Sequence, residues 1–431
     1  MTYVVVGTPG DRRVTMFAAA LTRYGLRPPQ VVAWPDVLAG QIAIPPGARV
    51  RIDSPGEDTA TDALLRGPGA PTRVGGGALW HSRLVAGLAR MADAASAAGA
   101  RVLGDVGEIA EMFDKRRTHA RLAAAGVPVP AALGPAPVGG YADLRRLMAD
   151  RGMARVFVKP AHGSSASGVV AFQTNGSLVK ATTSVEPAGR ELHNSLRVRD
   201  YHDETTVAAI VDALAPDGLH VEEWFPKAAV GGRVFDLRVV VVAGRPTHAV
   251  VRTSRAPMTN LHLGGARGSL ETVMAALGPA GWARALEICA RAAACFPRSP
   301  AVGVDLMVGA SLRRFAVAEV NAFGDLLPGL TGLPGSGAEG LDTYETQVRA
   351  YETQVLSCET QVLPCEARTL SGETRTLPNE ARTLPYEART LPCETRALPY
   401  VAAGRDDEGE THVRARAGAG RDDEVEAGAR A

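Results

Sequence analysis

The segment from residue 302 to 321 most narrows what this chain can fold into. Residues 302 to 308 and 315 to 321 are rich in Val, Leu, Met and Phe, and Gly309-Ala310-Ser311 between them supplies a turn. The pattern predicts a β-hairpin. Side chains alternate across a strand, so Glu319 and Asn321 share a face, and a turn centred near residue 312 sets Asp305 opposite Glu319. Three oxygen donors then converge. Hard donors of this kind suit Mg²⁺, which keeps some waters and takes further ligands from substrate phosphates. Taken alone, such carboxylates belong on the solvated face of an amphipathic hairpin, so the metal reading depends on what lies upstream.

Residues 155 to 160 read Arg-Val-Phe-Val-Lys-Pro, a short buried strand ending in Lys159, and residues 161 to 170 follow as a loop of Gly, Ser and Ala running into another strand. Small residues let backbone N–H groups approach phosphate oxygens, and the Lys159 ammonium can neutralise charge on the same polyphosphate. The loop is not a Walker A sequence, since no Gly-Lys-Ser/Thr follows Gly163 or Gly168. A Gly/Ser loop is more often a plain turn, and the preceding lysine shifts that balance.

Further on, Val221-Glu222-Glu223-Trp224-Phe225 is a strand with acids beside aromatics, able to offer backbone groups to an adenine edge and a carboxylate to a ribose. A strand from Val234 to Val242 carries Asp236 and Arg238 on one face, and the next ends in Arg252, whose fork of donors suits a phosphoryl group. The ordinary reading of Arg252 is a surface ion pair of little worth. Asn260 stands just before the pair Gly264-Gly265.

In this order the elements resemble the ATP-grasp superfamily, over roughly residues 113 to 330. The resemblance runs through Asp114-Lys115, Val158-Lys159-Pro160 with its Ser/Gly loop, Glu222-Glu223-Trp224, Asp236-Leu237-Arg238, Arg252, Asn260, Asp305 and Glu319-Val320-Asn321. Each motif is weak and the set is specific. The Asp-x-Arg strand followed by the Arg, Asn-x-x-x-Gly-Gly and Glu-x-Asn elements is most similar to the glutathione-synthetase-like and peptide-forming ligases.

The resemblance implies ATP and Mg²⁺ as cofactors, with Mn²⁺ as a substitute ion. Lys115 and Lys159 would contact phosphates while the loop with Gly163, Ser164, Ser165 and Gly168 closes over them. Glu222, Glu223 and Trp224 would line the adenine and ribose cleft, with Asp236 and Arg238 close to the nucleotide. Arg252 and Asn260 would hold the γ-phosphate and the acyl phosphate made from it, and Asp305, Glu319 and Asn321 would bind the metal. Two local departures are His162 beside the loop and Phe323-Gly324-Asp325, where Pro-Gly often follows the last ligand.

Length allows several domains: the chain has 431 residues. Its 47 basic and 46 acidic residues nearly cancel, which removes any global argument for a nucleic-acid or membrane partner. No apolar run reaches membrane length, the first residues enter a strand without a charged leader, and the five cysteines show no metal spacing. A cytoplasmic protein is expected.

The expected fold is α/β (α+β), a small N-terminal α/β domain followed by a two-lobed ATP-grasp fold and a disordered repeat tail. Boundaries are expected at residues 1–112 for the first domain, 113–214 and 215–343 for the two lobes, 344–400 for the repeat and 401–431 for a charged tail. In the first domain, Gly7-x-x-Gly10 lacks the full dinucleotide fingerprint, and the Arg51 to Glu57 loop is a candidate for substrate contact on the strength of the resemblance. The charged stretch from 181 to 205, with Arg197 and Arg199, reads as a solvated helix and its loops, or as a substrate-binding segment. From Tyr344 the chain repeats every seven residues. Prolines at 364, 378, 385, 392 and 399 share one register position, and the favoured first and sixth positions do not make a coiled coil, so an extended or disordered array is expected.

The activity expected is an ATP- and Mg²⁺-dependent ligase that phosphorylates a carboxylate and joins it to an amine or other nucleophile. A phosphotransferase on the same scaffold and a non-catalytic ATP-binding regulator are the alternatives. Expected partners are small-molecule or peptide carboxylates and amines, with a homo-oligomer left open.

Overall fold

The computed structural model describes residues 2–361 apart from 57, 135–136, 164–165, 190 and 325–327. The chain starts with strand β1 (Tyr3–Gly7), buried along its whole length as expected of a strand covered on both faces. Helix α1 (Arg12–Arg23) follows, capped by Asp11. Strand β2 (Gln30–Ala33), helix α2 (Trp34–Ala39), strand β3 (Arg49–Ile52), helices α3 (Thr59–Arg66) and α4 (Gly77–Ala97), strand β4 (Arg101–Val102) and helix α5 (Val106–Met112) complete the domain. The sheet is parallel in the order β2-β1-β3-β4. Trp34 begins α2 fully buried and donates from its indole nitrogen to the Asp53 carbonyl at 3.1 Å.

Helix α6 (Lys115–Ala124), capped by Asp114, and helix α7 (Tyr141–Asp150) lead into the second sheet. Its strands are β5 (Arg155–Pro160), β6 (Val170–Thr174), β7 (Val179–Ala188), β8 (Glu191–Tyr201) and, after helix α8 (Glu204–Leu214), β9 (Leu219–Glu223). They run antiparallel in the order β8-β7-β6-β5-β9. Val156, Val158, Val170, Phe172 and Val221 point to one side and bury against Leu144, Met148 and Ile210. The opposite parity leaves Phe157 and Lys159 on β5, and His220 and Glu222 on β9, on the other face.

Strand β9 pairs with β5, so the second sheet runs to residue 223. One expectation changes here. The charged stretch from 181 to 205 is no solvated helix: β7 and β8 pair through most of it, and its charges alternate along the strands, as in Arg199 to Glu186 at 2.7 Å and Lys180 to Asp200 at 2.9 Å. Charge density hid a period of two.

The third sheet holds β10 (Ala229–Val230), β11 (Arg233–Val242), β12 (Arg245–Ser254), β13 (Ala266–Gly268), β14 (Ala301–Val308) and β15 (Phe315–Asn321), in the order β13-β12-β11-β14-β15 with β10 on β11. Leu237, Val239, Val251, Val304, Leu306 and Val317 form its core face with Ile288, Ala292 and Phe296. Those partners come from helix α9 (Leu270–Ala294) and the turn after it; α9 is kinked at Gly278-Pro279. The β14–β15 hairpin has the expected register, Asp305 opposite Glu319, with an irregularity directly after Asp305.

Helix α10 (Thr343–Gln361) closes the described chain and corrects the reading of the repeat. Its first units form a helix that buries Tyr344, Val348 and Tyr351 against Tyr3, Val14, Phe17 and Leu21. The 4-3 spacing comes from Val at the fifth position of the early units, which becomes Thr or Ala in the later ones, and no proline occurs in the array before Pro364. Residues beyond 361 lie outside the described ones. Among the described residues no helix is long and apolar enough to cross a membrane.

Candidate active site

Strand register assembles a polar row on the uncovered face of the third sheet. Arg252 on β12 faces Asp236 on β11, Arg238 two residues on faces Asp305 on β14, and Asp305 faces Glu319 on β15. Because all share one parity, the side chains meet: Arg252 donates from Nε to Asp236 Oδ1 at 2.8 Å and from Nη2 to Asp236 Oδ2 at 2.9 Å and Asp305 Oδ2 at 3.1 Å. Arg238 also donates to both Asp305 oxygens, from Nη2 at 3.0 Å and from Nε. Burial alone would raise the Asp305 pKa, but Arg238 and Arg252 outweigh it and hold it down to about 2. The same carboxylates keep the Arg252 guanidinium charged against its burial.

The second sheet presents its own polar face. Lys159 Nζ lies 2.7 Å from Glu222 Oε1, and Glu222 Oε2 lies 3.0 Å from His220 Nε2. Burial disfavours the Glu222 charge, yet Lys159 and His220 hold its pKa down to about 2. Burial likewise opposes the Lys159 charge and is outweighed by Glu222, Glu319 and Asp305, so Lys159 faces the carboxylates of both sheets. Two sheets thus turn charged faces toward one cleft.

Loops frame that cleft. Lys115 Nζ donates to the Gly163 carbonyl at 2.6 Å and lies 3.5 Å from Glu319 Oε1. Gly168, at φ 72°, has room only for hydrogen: a Cβ there would stand 2.6 Å from Pro160 and 2.8 Å from Val74. Its N–H donates to Asn194 Oδ1 at 3.2 Å, which anchors the end of the loop. The ring of Trp224 lies 5.3 Å from that of Phe157. Glu223 borders a groove of about 240 Å³ with Pro128, Pro130, Phe225 and Arg314.

The structure therefore brings together Lys115, Lys159, Glu222, Asp236, Arg238, Arg252, Asp305 and Glu319. It does not bring the Asn260 side chain into the row, since its Oδ1 accepts from the His262 N–H at 2.7 Å and shapes its own turn. Glu222 is engaged by Lys159 and His220 rather than open to a ribose. Asn321 donates from Nδ2 to the Gly303 carbonyl at 3.1 Å, and its Oδ1 remains as a donor atom on the side of Glu319. Ser164 and Ser165 lie outside the described residues. In the first domain, Arg51 is buried and bound to Asp53 Oδ2 at 3.1 Å, to Tyr351 at 3.2 Å and to Gln347, so its side chain is structural rather than open to substrate.

Sequence reasoning missed Lys227, the role of Thr259, and the apolar patch that Met307, Ala316 and Ala318 form with Phe225. Met307 was within reach, being two residues from Asp305 on the same strand. Lys227 and Thr259 sit in loops, where no period marks a direction.

Scans against protein-family models and curated proteins found no match. Among solved structures, D-cycloserine synthetase DcsG is similar over 82% of this chain and 99% of that one, at 16% identity and a TM-score of 0.50. The chain has the ATP-grasp fold. Other similar structures are the ATP-grasp ligase PsnB with minimal precursor, Mg and ADP, at 18% identity over 82% of this chain and 98% of that one with a TM-score of 0.44. D-alanine–D-alanine ligase from Bacillus anthracis with ATP is 13% identical over 84% of this chain and 99% of that one, with a TM-score of 0.44. In this fold the cleft lies between the second and third sheets, where the two polar faces meet.

Proposed function

We propose that the chain is an ATP- and Mg²⁺-dependent ligase that activates a carboxylate as its acyl phosphate and transfers the acyl group to an amine or other nucleophile. One observation carries the reading: two facing sheets place Lys159, Arg238, Arg252, Asp305 and Glu319 in one cleft, with Lys115 at its edge. A polyphosphate with a hard cation is the ligand whose charges such a set complements.

The donor set fits Mg²⁺. Asp305 and Glu319 stand opposite each other with Asn321 on the same face, and Glu319 keeps 29% of its side chain accessible. These three residues would hold the ion, which when bound offsets charge on phosphate oxygens. Lys115 and Lys159 would bind the β- and γ-phosphates beside Gly163 and Gly168; the Ser164 and Ser165 proposed with them lie outside the described residues. Glu223 and Trp224 border the nucleotide, and Phe225, Met307 and Ala316 offer an apolar wall to its base. Glu222 holds Lys159 in place; Asp236 and Arg238 hold Arg252 and Asp305.

The substrate carboxylate attacks the γ-phosphorus and the bond to the β-phosphate oxygen breaks, releasing ADP. Arg252 would neutralise the transferring group. A nucleophile then displaces phosphate.

The test is ADP release by the full chain with Mg²⁺ and pools of carboxylates and amines. ADP formed only when both pools are present supports the ligase. A stable phosphorylated product without amine would replace it with a phosphotransferase, and ATP binding with no turnover would replace it with a regulator.

A further inference from the structure

Among the described residues, four of the cations named at the cleft already have a carboxylate. Lys115 has Glu319 at 3.5 Å, Lys159 has Glu222 at 2.7 Å, Arg252 has Asp236 at 2.8 Å and Arg238 has Asp305. Lys227 is the exception: among the described residues no carboxylate lies within 4.0 Å of its Nζ. Its hydrogen bond goes to the Thr259 hydroxyl at 3.0 Å, and that hydroxyl donates in turn to Asp236. The backbone of Lys227 bridges to Gly309 at the end of β14, which fixes the root of the side chain beside the polar row. The charges facing it are Asp236 on β11, Arg252 on β12, Lys159 on β5 and Asp305 on β14.

Lys227 is half-buried, and burial pushes its pKa down to about 8; Asp236 and Asp305 oppose this from a distance, while Arg252 and Lys159 push the same way as burial. A polyanion entering between the sheets removes that penalty.

We propose that Lys227 is a phosphate-binding residue of the cleft, positioned by Thr259, whose counterion is the polyphosphate of the bound nucleotide. The inference rests on the nucleotide reading above and adds a ligand that no motif of the chain announced. Thr259 is then a positioning residue, tying the lysine to the Asp236–Arg252 pair.

Calorimetric titration of the full chain and its Lys227→Met and Lys227→Arg variants with MgATP, adenosine and inorganic tripolyphosphate tests this. Lys227→Met weakens MgATP and tripolyphosphate by about tenfold or more and leaves adenosine unchanged, while Lys227→Arg recovers most of the affinity. Unliganded Lys227→Met melts no lower than wild type, because no carboxylate is in direct contact with the ammonium among the described residues. Wild-type affinity for MgATP in Lys227→Met overturns the proposal, as does a Lys227→Met protein that melts far lower while Lys227→Arg restores melting without affinity. Lys227-dependent binding of tripolyphosphate without binding of MgATP would sink the nucleotide reading and keep the anion site; binding of neither would sink both.

Discussion

Glu222 is held between Lys159 and His220, with Oε1 at 2.7 Å from the Lys159 ammonium and Oε2 at 3.0 Å from the His220 ring. Removing its charge takes from a buried ammonium the one carboxylate in hydrogen-bond contact with it among the described residues, leaving only the more distant Glu319 and Asp305. Glu222→Gln is therefore expected to lower stability by about 3–5 kcal/mol in chemical unfolding. The native pKa of Glu222 lies below its ordinary value of 4.5, at about 2, so its contribution is complete above pH 4.5 and is lost as pH falls toward 2. Wild type and Glu222→Gln should converge in stability over that window. A gap independent of pH would mean that packing, not charge, is what the substitution removes.

Glu319 differs from its neighbour Asp305. Asp305 is buried and carries two arginines, whereas Glu319 is 29% accessible and has Lys115 at 3.5 Å. Glu319→Gln should melt like wild type yet lose turnover on the order of a hundredfold or more. Asp305→Asn should lose both stability and turnover, because Arg238 and Arg252 then lose the carboxylate they share. Mg²⁺-dependent ADP release beside thermal melting separates the two, and wild-type turnover in Glu319→Gln would remove the metal assignment.

At Gly168 the backbone itself sets the constraint. A methyl group would meet Pro160 at 2.6 Å and Val74 at 2.8 Å, in a conformation with φ 72°. Gly168→Ala is expected to cost about 1–3 kcal/mol and to weaken MgATP binding, since the loop it ends is anchored through Asn194. Unchanged melting and affinity would show that the loop relaxes freely.

How much of this was legible depended on period. The Asp305–Glu319 register follows from strand alternation and a turn length, and the structure has it. The row Arg252, Asp236, Arg238, Asp305 required knowing which strands are neighbours; β11 sits between β12 and β14, and no local pattern states a sheet order. Each of these side chains was singled out, while their mutual ion pairing was not foreseen. Lys227 and Thr259 lie in connections, where direction is set by tertiary contacts alone. The repeat misled because its period was judged over all units. The later ones carry proline and Thr or Ala where the first two carry Val348 and Val355, and only the early units fit a helix that buries one stripe.

That helix ties the first repeat units to the first domain. Tyr344 is fully buried, with its ring 6.5 Å from Phe17 and the Arg51 guanidinium 5.3 Å from its centre. Glu352 accepts from Tyr3 and Arg49 at 2.5 Å each, and Gln347 and Tyr351 accept from Arg51. A chain ended at residue 342 would expose the α1 and β1 surfaces and take Gln347 and Tyr351 away from Arg51 and Glu352 away from Arg49. It should fail to melt cooperatively, whereas a chain ended at residue 361 should melt with the full chain. Tyr344→Ala, a smaller perturbation of the same contact, is expected to cost about 3–5 kcal/mol. If the chain ended at 342 melts with wild type, α10 is an appendage of the fold, and the first units of the repeat have no structural role to distinguish them from their copies.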